Sequence, residues 1–145
     1  MTITPRVQKN YLLITALVIG SFGPVFSLGA WESTSLPAQF TLDLLNFPLD
    51  KVQHFHEPTT RFLSALTGGF LLGWGITIAG LRQWVFDFNP EGVRKTVVAG
   101  IMAWCIADST GSVLAGANSN VFFNLLVLVL AIGPLYKKAS LTPNS

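Results

Sequence analysis

Four stretches of this chain are each long and apolar enough to cross a lipid bilayer, and no other feature restricts its fold as strongly. A membrane-spanning helix needs about 20 predominantly apolar residues to cross a hydrocarbon core about 30 Å thick. The first stretch covers about residues 11–29, the second 62–81, the third 93–116 and the fourth 121–136. Arg61 and Arg82 bracket the second, and Lys137 and Lys138 close the fourth. Backbone amides in hydrocarbon must be bonded within the protein, which leaves helices or closed barrels. We therefore expect an all-α fold: one integral membrane bundle of four transmembrane helices over residues 1–145, with residues 30–60 as the only sizeable segment outside the membrane.

Composition agrees. Half of the residues are hydrophobic and 11% are charged, against about 25% charged in an ordinary soluble domain. The mean hydropathy is +0.53. A formal charge of +2 with scattered basic residues lacks the clustered footprint that nucleic acid requires, so nucleic acid is excluded as a partner. The single cysteine, Cys105, excludes an intrachain disulfide and a cysteine-pair metal site.

Local signals mark the helix ends. Asn89-Pro90-Glu91 supplies a capping side chain, a proline at the first helical position and an acid in the first turn. Glu57-Pro58 resembles it, and Asn118, Ser119 and Asn120 offer caps for the fourth helix. Pro24 should kink or end the first helix. Basic residues are retained on the cytoplasmic side. Arg6, Lys9, Arg82, Arg94, Lys95, Lys137 and Lys138 share one side if both termini are inside, leaving Lys51 and Arg61 opposite. This predicts an N-in/C-in topology. A competing reading takes residues 1–29 as a secretory signal, with Ser27-Leu28-Gly29 as the small-residue cleavage site.

In the 30–60 segment, Leu36, Phe40, Leu44 and Phe47 recur at helical spacing. A surface-lying amphipathic helix would show this, but its polar face normally carries basic residues, and here it holds Gln39, Thr41 and Asp43. We expect instead a loop folded over the bundle with those apolar side chains packed inward. The third helix carries small residues at every fourth position (Ala99, Ala103, Ala107, Gly111, Ala115), and the second carries Ala65, Gly69 and Gly73. Small residues allow close backbone approach between membrane helices, so the second and third helices are expected to pack on each other. A partner protein or a homo-oligomer is the alternative use of these faces. Leu125–Leu130 is purely aliphatic and should face lipid.

Asp108 is the most informative residue. It lies 13 positions beyond Lys95, about 20 Å along the helix, which places a carboxylate within the outer half of the membrane. Ionisable groups there are rare, face the bundle interior and mark functional sites. Ser109 and Ser112 adjoin it, Asn118, Asn120 and Asn124 cluster at the start of the fourth helix, and Arg61, His54, His56 and Glu57 gather on the same side. Arg61 could pair with Asp108, fixing helix register, or the group could line a ligand site. His54-Phe55-His56-Glu57 offers metal-type ligands, with Asp50 or Glu32 needed to complete a set, and no metal site is assigned on so few. No histidine lies near Asp108-Ser109 in sequence, nothing forms a nucleophile elbow, and Gly68, Gly69, Gly73 and Gly75 lack the lysine of a phosphate loop. No catalytic residue and no cofactor is therefore assigned. Trp74, Trp104 and Phe70 read as packing or interface aromatics, and Trp31 and Trp84 as interfacial belts.

Two stretches, Thr60-Arg61-Phe62-Leu63-Ser64-Ala65-Leu66-Thr67-Gly68-Gly69 with Gly73-Trp74-Gly75, and Ala107-Asp108-Ser109-Thr110-Gly111-Ser112 with Gly116, Asn118 and Asn120, resemble a group of small four-helix bacterial membrane proteins. The resemblance implies this fold and a multi-pass place in the bacterial inner membrane, and it brings no activity. The functional expectation is a protein that binds a small or lipid-like ligand, or a partner, through an outward-facing pocket on Arg61, Asp108 and Asn120. The alternatives are a small membrane enzyme, with Asp108 as acid or base and Arg61 holding an anionic substrate, and a structural subunit of a larger membrane complex.

Overall fold

The computed structural model describes residues 3–139. It is all-helical, with four helices long and apolar enough to span a membrane. The elements are α1 (Pro5–Ser27), α2 (Leu36–Leu45), α3 (Pro58–Gly80), α4 (Pro90–Leu114) and α5 (Asn118–Ile132). A π turn, Leu81–Val85, extends α3, and a 3-10 turn, Gly133–Tyr136, extends α5. Helix α1 begins six residues before the apolar run, because Thr4 caps it by accepting from Val7 N–H and Pro5 opens its first turn. Asn89 caps α4 as its sequence predicts, accepting from Gly92 N–H at 2.9 Å. Glu57 and the Asn118–Asn120 group do not cap their helices. Ser119 instead donates to Leu45 O on α2 (2.7 Å), and Asn120 is used elsewhere.

The helices form two antiparallel pairs. In the first, α1 lies along α3 through glycines: a Cβ on Gly75 would fall 2.7 Å from Gly20 Cα and 2.8 Å from Ala16 O. A Cβ on Gly68 would collide with Ser27 and with Gly23 O. Ser64 donates to Phe26 O at 2.7 Å across the same seam. In the second pair, α4 and α5 are joined by a short turn in which Gly116 takes φ +83°.

The expected packing of the second hydrophobic helix on the third does not occur. Helix α3 presents Ser64, Gly68 and Gly75 to α1, and α4 buries Val93, Val97, Ile101 and Cys105. The predicted ribbons point away: Gly69, Gly73, Ala99, Ala103, Ala107, Gly111 and Ala115 are all exposed, and a Cβ on Gly69, Gly73 or Gly111 would meet nothing within 4 Å. The physical reason lies in α1, where Ala16, Gly20 and Gly23 meet Leu72 and Gly75 of α3 backbone to backbone.

The two pairs are joined at the end that carries the termini. Helix α5 stops at Gly133-Pro134, and Pro134 has no N–H for Leu130 O. Tyr11 Oη donates to that carbonyl at 2.6 Å, and Thr15 Oγ1 to Ala131 O at 2.7 Å. Gln8 adds a bond to Lys137 O, and Arg94 one to Leu135 O. Leu12, Ile19, Ile78, Val97, Ile101 and Leu135 form the core between the pairs. Toward the other end the pairs part, and α2 bridges the opening. The 30–60 segment thus contains a ten-residue helix where a loop was expected. It packs through Ala38 and Leu42 on Phe22, Phe26 and Phe55, while Leu36 (74% exposed), Phe40 and Phe47 face out. Leu44 is half-buried. The outward faces of the long helices stay apolar, with Phe70 71% and Val129 70% exposed, the surface expected where the solvent is hydrocarbon.

Candidate functional site

The α4–α5 hairpin assembles a polar group from five of the predicted residues. Its turn centres on Gly116, so Asp108 falls opposite Asn124 and Ser112 opposite Asn120. Asn120 Nδ2 donates to Asp108 Oδ2 (2.9 Å) and to Ser112 Oγ (2.8 Å). Asn124 Nδ2 donates to the same Oδ2 (2.7 Å) and to Ser109 Oγ (3.1 Å). One carboxylate oxygen thus receives two amide donors. Asp108 Oδ1 has no donor among the described residues. Asn124 is 4% exposed, and Asn120 Oδ1 is buried with no partner.

Arg61 does not reach Asp108. Its Nη1 lies 3.8 Å from Glu32 Oε2, and Glu32 Oε1 is 2.6 Å from His56 Nδ1. The acid closest in space, on the segment after α1, holds the arginine at the α2 end. The ten predicted site residues therefore separate. Asp108, Ser109, Ser112, Asn120 and Asn124 form the polar group; Arg61 and His56 join Glu32 at the surface. His54 stacks loosely on His56, ring centroids 5.5 Å apart, Glu57 opens α3 without a capping bond, and Asn118 is exposed at the start of α5. Among the described residues no three His, Cys, Asp or Glu side chains are placed to hold a metal ion, and the surface cluster supplies only His56 and Glu32 from the set considered.

Asp108, Asn120 and Asn124 border a cavity of about 320 Å³ in the cleft between the helix pairs. Its other walls are apolar: Phe22 and Phe26 from α1, Leu71 and Trp74 from α3, Trp104 from α4, Phe123 and Val127 from α5. Leu42 and Leu45 of α2 roof it, and the Ser119–Leu45 bond pins that roof to α5. Below the cleft, Trp74 and Trp104 meet edge to face, centroids 6.2 Å apart. They are cavity walls as well as packing aromatics, whereas Phe70 faces outward. Sequence reasoning found the polar residues but not the walls. Leu42, Leu71 and Phe123 carry no signal beyond hydrophobicity, and the α1 glycines of the α1/α3 seam, Gly20 and Gly23, lie outside the small-residue ribbons of the second and third apolar stretches.

No protein-family model, no curated protein and no solved structure matches this chain. The resemblance drawn above therefore stands on its two motifs alone. Fold and site together define the class: an all-helical protein, with four helices of membrane-spanning length and composition, enclosing a polar-ended apolar cavity.

Proposed function

We propose that this protein lies in the bacterial inner membrane with both termini inside and binds an amphiphilic, lipid-like ligand in the α3–α4–α5 cleft. The observation that carries the reading is the cavity itself, apolar along its walls and closed at one side by Asp108, Asn120 and Asn124. A void of this size lined by Leu, Phe and Trp suits an acyl or ring system, and a few convergent polar groups orient its head. An intramembrane carboxylate at such a place is costly unless it serves a purpose. Helices α3 and α4 meet chiefly through the tryptophan pair, so the ligand enters sideways, from the outer leaflet. Seven of nine basic residues at the opposite end support the orientation; a C-terminal reporter found outside the cell would refute it.

The binding reading is tested by photolabelling in detergent with a diazirine-tailed fatty alcohol. We expect adducts concentrated on peptides carrying Leu71, Phe123 and Val127 and strongly reduced in Val127→Phe, which fills the cavity. Labelling spread evenly over Phe62, Phe70, Phe122 and Val129, unaffected by Val127→Phe, would reject it. A second reading, docking of a partner helix, is favoured by the exposed ribbon Ala99–Ala103–Ala107–Gly111. It predicts that Ala107→Leu dissociates a native complex without altering photolabelling.

A further inference from the structure

We infer that the cavity selects amphiphiles with an amine-type, cationic head over neutral and anionic ones; this rests on the binding role proposed for the same cavity. The argument is an inventory of donors and acceptors. Four of the residues that line the cavity are non-aromatic and polar: Thr67, Asp108, Asn120 and Asn124. The Thr67 hydroxyl donates to Leu63 O (2.8 Å). Each asparagine amide has two protons, and all four are given to Asp108 Oδ2, Ser109 and Ser112. What this end of the cavity has left to offer is oxygen. Asp108 Oδ1 lacks a donor among the described residues; Asn120 Oδ1 also has no partner, but it is fully buried and so is not presented to the cavity.

Asp108 borders the cavity, and a carboxylate oxygen without a donor can accept a hydrogen bond from whatever enters. A carboxylate bordering an apolar cavity also lacks a counter-charge: no Lys, Arg or His lines the cavity, and Arg61 is held by Glu32. A primary ammonium meets both demands, with three N–H donors and a positive charge. A hydroxyl brings one donor and no charge, and a carboxylate or phosphate head would face Asp108 with like charge. Trp74, Trp104 and Phe123 also line the cavity, and aromatic rings attract cations. The head-group preference is thus opposite to that implied by an arginine-held anionic substrate.

The test uses three probes of equal tail length, each brominated at the tail end: a dodecyl primary amine, a dodecanol and a dodecanoate. Quenching of tryptophan fluorescence is titrated against probe mole fraction in maltoside micelles at neutral pH. Wild type should be half-quenched by the amine at a mole fraction at least about tenfold lower than by the alcohol or the carboxylate. Val127→Phe should abolish the saturable phase for all three. Asp108→Asn should remove the amine's advantage and leave the alcohol's curve in place. The wild-type comparison needs no variant to fold. Alcohol or carboxylate quenching at or below the amine's mole fraction would overturn the head-group assignment while leaving the binding reading intact, as would an undiminished amine advantage in Asp108→Asn. Absence of a saturable phase with every probe would overturn both.

Discussion

Asp108 takes two amide donors on one carboxylate oxygen, and its other oxygen has no donor among the described residues. Its geometry depends on Asn124, the most buried member of the group. Asn124→Ala leaves Asp108 with one donor and frees Ser109 Oγ, and the loss of hydrogen bonds to a charged group should cost about 1.5–3 kcal/mol. The readout is thermal unfolding in detergent; an unchanged melting temperature would show that the Asn124 bond carries no weight. This part of the site was legible in the sequence because helix geometry is local. Gly116 closes an antiparallel hairpin, so residues equally far from it on either side must meet: Ser112 with Asn120, Asp108 with Asn124. Arg61 had no such constraint. Its expected partner lay on another helix, and the choice between Asp108 and Glu32 depended on the path of residues 28–57, where no periodicity sets the register.

At the scale of helices, small residues were read correctly as marks of close approach but assigned to the wrong pair. An i, i+4 ribbon is necessary for tight packing and is not sufficient, because the partner must also be small where the backbones cross. Helix α1 satisfies this with Ala16, Gly20 and Gly23. The seam separates two glycines two positions apart. Gly75→Ala places a methyl group against Gly20 Cα and Ala16 O, backbone atoms that cannot rotate away, and should cost about 1–3 kcal/mol. Gly73→Ala meets open space and should range from neutral to about 1 kcal/mol stabilising, since alanine is the better helix former. Equal melting temperatures for the two variants would contradict the α1/α3 assignment. Residues 30–60 show the converse difficulty. Leu36 and Phe40 were legible as one face of a helix, but the side on which a ten-residue helix seats itself is decided by Ala38, small enough to be wholly buried against the bundle.

The whole molecule consists of two helix pairs clamped at one end and parted at the other. The clamp is made by side chains that satisfy carbonyls freed by Gly133-Pro134, and the gap by the absence of an α3–α4 seam. Four spanning-length helices could be read directly from apolar runs. The cavity between them could not, because it arises from which helices fail to touch. The central claim is that this gap holds a ligand. The most direct test is native mass spectrometry of the full chain, extracted gently from its own membrane, beside Val127→Phe prepared in the same way. The account predicts a discrete added mass on the wild-type protein that survives gas-phase release from the micelle and is absent from Val127→Phe. A wild-type protein that emerges bare, or bound only to another protein subunit, would contradict it.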